Sequence, residues 1–166
     1  MAETETIVED RKITYEGLFS VSDLYRLIDE YFAKIGYDKV EVKNVEVVKP
    51  EGKFIEIRLE PYKTITDYVR YVVSVRIICS EIKEVEIKRD GHKLRLNSGK
   101  AQIIVNGYLL TDWEGKWESK PVYYVLRALM NKYVFQPITG KYKGEIAQNC
   151  EQLVSNIKAF LNLYRY

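Results

Sequence analysis

The stretch "IKRDGHKLRL", residues 87–96, decides how this chain folds. Asp90-Gly91 lies between two runs in which apolar and polar residues alternate. A type I′ turn, which needs positive φ at both central residues, is commonly built from this dipeptide. Closing the turn there sets Ile87 opposite Leu94, Val85 opposite Leu96 and Glu86 opposite Arg95. All the apolar partners then share one face, as a correct register requires. His92, the only histidine of the chain, falls opposite Arg89 at the mouth of the turn. With no carboxylate to orient it and no nucleophile beside it, His92 reads as a turn residue and not as a catalytic base.

Upstream of the turn, Val69, Tyr71, Val73, Val75, Ile77 and Cys79 occupy the odd positions of a long strand. Around Arg76–Cys79 both faces are apolar, so the middle of that strand is expected to be covered on both sides. Downstream, "NSGK" (97–100) shifts the parity. "AQIIVNGYLLTDW" (101–113) is then either one strand with a bulge at Gly107 or a second hairpin at Asn106-Gly107. The length of the preceding strand favours the bulged strand, and "DWEGKWE" makes a turn that carries Trp113 and Trp117.

Towards the N-terminus, residues 1–10 read as a flexible tail and residues 11–166 as one domain. "RKITYEGLF" (11–19) is a short strand. "SVSDLYRLIDEYFAKIG" is a helix over 20–35, with Val21, Leu24, Leu27, Ile28, Tyr31 and Ile35 at helical spacing, Ser20 and Asp23 at its cap, and Gly36 at its end. "KVEVKNVEVVK" alternates with a parity change at Asn44, where a bulge is expected. "KPEG" turns into "FIEIRLE", a strand with one wet face. At the other end, "SKPVYYVLRALMNKYVF" predicts a helix over 119–135 that Pro137 ends. The loop "QPITGKYKG" follows, and a last helix over 143–164 carries Ile146, Cys150, Leu153, Ile157, Leu161 and Tyr164 as its apolar stripe.

These elements make an α+β domain: a curved, mostly antiparallel sheet of about five or six strands packed on an N-terminal helix and two C-terminal helices. The order of strand, helix, antiparallel meander and long C-terminal helix resembles the helix-grip proteins, the lipid-transfer and polyketide-cyclase-like folds. That resemblance implies a cavity between sheet and last helix that could carry a hydrophobic small molecule, with tyrosine hydroxyls as its polar anchors.

Composition bounds the function. Apolar residues make up 46% of the chain, and the 26 lysines and arginines against 24 acidic residues leave a net charge of +2. So near a balance supplies no global field for a polyanion, although a local basic face remains open. Cys79 and Cys150 lie far apart without CxxC spacing and read as buried free thiols in a reducing compartment. No apolar run approaches the ~18 residues of a membrane span, and the polar, acidic start is unlike a signal peptide. The expected location is the cytoplasm.

No catalytic constellation emerges. There is no G-x-S-x-G, and one histidine with two scattered cysteines does not make a zinc site, so neither metal nor cofactor is expected. Glu56 and Glu60 alternate with core positions and belong to a wet face. Asp112, beside Trp113, reads as a turn residue before it reads as an acid. "TGKYKGE" (139–145), with Lys141 and Lys143 before the last helix, could hold an anion but lacks the phosphate-loop spacing.

The expectation is therefore a non-enzymatic binding protein that acts through an aromatic-rich surface in a protein or ribonucleoprotein complex, with a protein partner or a second copy of itself. The chain holds 14 tyrosines and two tryptophans, residue types that suit contact surfaces. Trp113, Trp117, Tyr142 and Tyr166 are the expected anchors. An RNA-binding reading would use Arg70, Arg76, Lys141 and Lys143 among neighbouring tyrosines.

Overall fold

The computed structural model describes residues 3–111 and 136–164. Along them run β1 (Glu3–Phe19), α1 (Val21–Lys34), β2 (Glu41–Lys49), β3 (Gly52–Leu59), β4 (Tyr62–Thr64), β5 (Val69–Arg89), β6 (His92–Thr111) and α2 (Gln136–Asn162). The fold is α+β. The strands form one six-stranded antiparallel sheet in the order β1-β6-β5-β3-β2, with β4 pairing on β5 beyond the end of β3. The helix expected over 119–135 lies outside the described residues.

Asp90 and Gly91 adopt φ of 52° and 78°, the two positive values a type I′ turn demands. From that turn Ile87 pairs with Leu94, Glu86 with Arg95 and Val85 with Leu96. The pairing continues to Val69 opposite Thr111, broken by one shift between Ser80 and Lys83. That shift is a bulge in β5, where Glu81 takes φ of 54°. The sequence suggested a parity change at 97–100, in the partner strand. The extra residue sits in β5, and β6 keeps its alternation from one end to the other.

Alternation assigns the faces. Val75, Ile77 and Cys79 of β5, Ile103 and Val105 of β6, and Ile13 and Tyr15 of β1 are buried in one core with Ile57 and Leu59 of β3. Both helices close this face. Leu24, Ile28 and Phe32 of α1 join Ile146, Cys150, Leu153, Ile157 and Leu161 of α2 in the same cluster. Each such side chain contributes about 1.5–3 kcal/mol when fully buried. On the opposite face Val72, Ile78, Ile104, Tyr108 and Leu110 are half-buried. The middle of β5 is thus apolar on both sides, with one side under the helices.

Local chemistry explains the helix ends. The Asp23 N–H donates to Ser20 Oγ at 3.2 Å, and the Val21 N–H donates to Asn97 Oδ1 of β6 at 3.1 Å. The cap therefore also pins the helix to the sheet. In α2, Pro137 lies in the first turn, where a missing N–H costs nothing, so it begins this helix. Thr139–Glu145, read from the sequence as a loop with free amides, is helical.

Three further expectations change. Residues 3–10 are not a tail but the first half of β1, pairing Glu3 with Thr111 and Val8 with Gly107. Glu3, Thr4, Glu5 and Thr6 are exposed at the sheet edge, which hides the strand in a polar sequence. Gly107 is neither turn nor bulge. The pairing with β5 runs through it without a shift, and the irregularities lie opposite, in β1 between Thr6 and Arg11. In β2 the bulge falls between Glu41 and Lys43, just before Asn44.

Gly107 is required by packing. A Cβ there would lie 2.9 Å from both Cys150 Sγ and Ile146 Cγ2, because α2 crosses the sheet at this point. Gly107→Ala is therefore expected to destabilise the fold. Overpacking of this kind costs about 1–3 kcal/mol, which exceeds the ~0.4–1 kcal/mol gained by stiffening the unfolded chain. Urea denaturation at 25 °C checks this through a lowered midpoint at unchanged m-value; an unchanged or raised midpoint contradicts the crossing.

Candidate interaction surface

The order of the sheet leaves β2 as an edge. Among the described residues it has β3 on one side and no strand on the other, and all nine of its residues are exposed. Its alternation sends Val45 and Val47 to the outer face, opposite Glu56 and Phe54, and Asn44 and Glu46 to the helix face, opposite Ile57 and Ile55. Val45 and Val47 remain 38% and 42% exposed.

Between this edge and the first half of α1 runs an open groove of about 480 Å³. Val21, Ser22 and Tyr25 form the helix wall, and Glu41, Asn44 and Glu46 form the strand wall. Ile55, Ile57 and Ile82 lie at its base. The floor is apolar, while polar side chains such as Ser22, Glu41, Asn44 and Glu46 line the walls, a combination that can fix both the hydrophobic and the polar parts of a ligand.

The rim is ordered. The Tyr25 phenol donates to Glu41 at 2.6 Å, and the Asn44 amide donates to the other oxygen at 3.2 Å. These bonds, Tyr25 first, hold the Glu41 carboxyl below the ordinary range. Partial burial, then Glu41, pushes the Tyr25 phenol up. Lys39 sits 4.8 Å from the Tyr25 ring centroid and pairs with Asp29 at 3.2 Å. Glu46 pairs with Lys53 at 3.1 Å. Glu41 thus accepts from two neutral donors and keeps its negative charge at the rim.

Of the residues singled out from the sequence, those that are described do not come together. Trp113, Trp117, Asp112 and Tyr166 lie outside the described residues. Tyr142 is not in a loop. It sits in α2, half-buried against the core, with its ring 6.1 Å from Tyr71. Lys141 is exposed, and Lys143 pairs with Glu5 at 2.7 Å. Arg70 and Arg76 lie on the face opposite α2, six residues apart on β5, so the four cations form no single patch. The Arg70 guanidinium stacks 4.4 Å from the Tyr62 ring centroid and donates to Thr64 at 3.1 Å. Arg76 donates twice to Glu56 Oε1, at 3.1 and 2.9 Å. Lys43 and Arg76 together hold the Glu56 carboxyl below its ordinary range.

Sequence reasoning missed the groove because its lining comes from five separate elements. Only the nine-residue strand with valines on one side and carboxylates on the other offered a sign of it.

Several buried tyrosines tie α2 down instead of forming a contact surface. Tyr71 donates to Glu145 at 2.9 Å. Tyr31 donates to the Asn149 carbonyl at 2.7 Å, and Tyr37 accepts from the Asn149 amide at 3.1 Å. Cys79 and Cys150 are free and buried. Burial pushes both thiols up to about 12, which removes the thiolate that a nucleophile needs. Among the described residues no three His, Cys, Asp or Glu side chains cluster as metal ligands, and no helix is long and apolar enough to cross a membrane.

No protein-family model, curated protein or solved structure matches the chain.

The buried acids make stability fall in alkali. Burial raises the Tyr31 phenol to about 12 and shifts Tyr37 and Tyr71 further in the same direction. The unfolded chain ionises its thiols near pH 9 and its phenols near pH 10, where the native groups still hold their protons. The unfolded state then binds fewer protons, so this stability is complete below about pH 9 and is lost as pH rises towards 12. Urea midpoints across pH 8–11, with phenolate absorbance at 295 nm, are expected to show a decline and late, cooperative tyrosine ionisation. Early, graded ionisation of every tyrosine contradicts the burial. Tyr71→Phe, which strips Glu145 of its donor, is expected to cost about 1–3 kcal/mol at pH 7.

Proposed function

We propose that this protein is a non-enzymatic interaction module that captures an extended segment of a protein partner on β2. The observation that carries this reading is an exposed edge strand lying beside an apolar-floored groove. An edge strand presents backbone donors and acceptors that only another extended backbone satisfies in full. Strand addition of this kind takes its affinity from main-chain hydrogen bonds and its specificity from pockets for alternate side chains. The groove between α1 and β2 supplies such a pocket. Ile55, Ile57 and Ile82 favour apolar side chains at every second position of the partner, and Glu41 favours a lysine or arginine at the rim.

The surface differs from the aromatic patch that composition suggested, while the class of function is the same. A carrier of hydrophobic small molecules on the helix-grip plan would need a chamber under α2, and at Gly107 that interface has no room for a single added methyl group. The two free thiols suit a reducing compartment such as the cytoplasm.

A display selection on random twelve-residue peptides tests the proposal. Selected peptides are expected to shift backbone amide resonances of Glu41–Lys49 and of Val21–Tyr25. Ile55→Asp in the groove floor is expected to weaken them at least about tenfold, roughly 1.4 kcal/mol, while Lys158→Gln on the exposed side of α2 leaves affinity within about twofold. Peptides that bind with shifts confined to other elements, or a selection that enriches none, would overturn it.

A further inference from the structure

Beyond the β2 groove, and independently of it, the tip of the β5–β6 hairpin carries an inference about a second partner. β3 last pairs with β5 at Ile82, and β1 last pairs with β6 at Asn97. From Val85 to Leu96 the two strands therefore pair only with each other, as a ribbon beyond the sheet. Val85–Arg89 at ~3.3 Å per residue makes it about 15 Å long. A lone two-stranded ribbon is marginal in water, so this length is not explained by stability.

Its charge is arranged by position. Near the base Glu86 and Arg95 face each other, 3.5 Å apart. At the tip Lys88 stands directly opposite Lys93, and Arg89 opposite His92. Two lysines directly opposed in a sheet are destabilising, and both are exposed. Neither Lys88 nor Lys93 has a carboxylate partner among the described residues. Residues 85–96 hold four cations against the two carboxylates of Glu86 and Asp90, in a chain whose net charge is only +2. A lysine pair kept in repulsion at the end of a projecting arm calls for an anion with repeated charges.

We propose that the 85–96 ribbon is a nucleic-acid-binding arm that enters the major groove of duplex DNA tip first, with Lys88 and Lys93 on backbone phosphates. The major groove is ~12 Å wide and ~8.5 Å deep and admits a two-stranded ribbon, whose strands lie ~4.8 Å apart. Phosphates on both sides of the groove would relieve the repulsion across the strand pair.

The test is fluorescence anisotropy of the full chain with a labelled 20-base-pair DNA duplex over 50–300 mM salt. Each phosphate contact contributes about −0.9 to the slope of log K against log salt. Lys88→Gln with Lys93→Gln is expected to make the slope shallower by about 1.8, and Lys12→Gln on the sheet to leave it unchanged. K88E replaces a repulsive pair with an attractive one, so it is expected to hold or raise the melting temperature while lowering duplex affinity at least about tenfold. That combination separates loss of binding from loss of fold. An unaltered slope in the double variant would overturn the arm, as would absent duplex binding at 50 mM salt. Tighter binding to single-stranded RNA or to phosphatidylserine vesicles than to the duplex would do the same.

Discussion

Once Asp90 and Gly91 close their turn, β5 and β6 are committed residue by residue, and the other elements take their places from that pair. β1 adds to β6, β3 and β4 add to β5, and β2 is left at the edge. A slip of one residue would turn Val75, Ile77, Ile103 and Val105 away from the helices and expose the core. The positive φ values at two adjacent positions therefore hold more of the structure than any single buried contact. The one interruption, at Glu81, lies in the longest strand, and past it Val85, Ile87, Leu94 and Leu96 face the side opposite the helices. The bulge in this way separates the packed part of the hairpin from the arm.

Both helices lie on one face, and that asymmetry sets what the molecule offers to others. α2 is fixed by close approach at Gly107, by an apolar stripe and by the tyrosine hydrogen bonds at Glu145 and Asn149. α1 is fixed by its cap on Asn97 and by Leu24, Ile28 and Phe32. The α1 wall stops short of β2, which leaves the groove and the edge. The surface ion pairs of the region, such as Lys53 with Glu46 at 3.1 Å, are half-exposed and worth little; shape and backbone valence dominate there. The edge also carries Lys43, Lys49 and a bulge, devices that deter indiscriminate pairing and would leave recognition to the groove.

Much of this was legible in the sequence where local chemistry decides the outcome. The Asp-Gly turn, the Ser20 cap and the stripe of Ile146, Cys150, Leu153, Ile157 and Leu161 each depend on residues close in the chain. The bulges were visible only as parity changes. A parity change reports that a hairpin has an extra residue without saying which strand holds it, which is why Glu81 was sought near Asn97. The first half of β1 was hidden because an edge strand with a solvated face need not alternate. Gly140 and Gly144 suggested a loop, yet both lie on α2 where an added Cβ meets nothing within 4 Å, so helix costs them only their propensity. The groove was illegible for a stronger reason. Tyr25, Asn44, Ile55 and Ile82 meet only because of strand order, and no local pattern encodes strand order.

Native-state amide hydrogen exchange tests the central claim, that one register-fixed hairpin organises a sheet with an open edge at β2. The amides of Val73–Cys79 and Ala101–Val105 should exchange only with global unfolding, while every second amide of Glu41–Lys49 exchanges far faster than its neighbours. Uniform protection along β2, or early exchange in the centre of β5 and β6, would contradict the account.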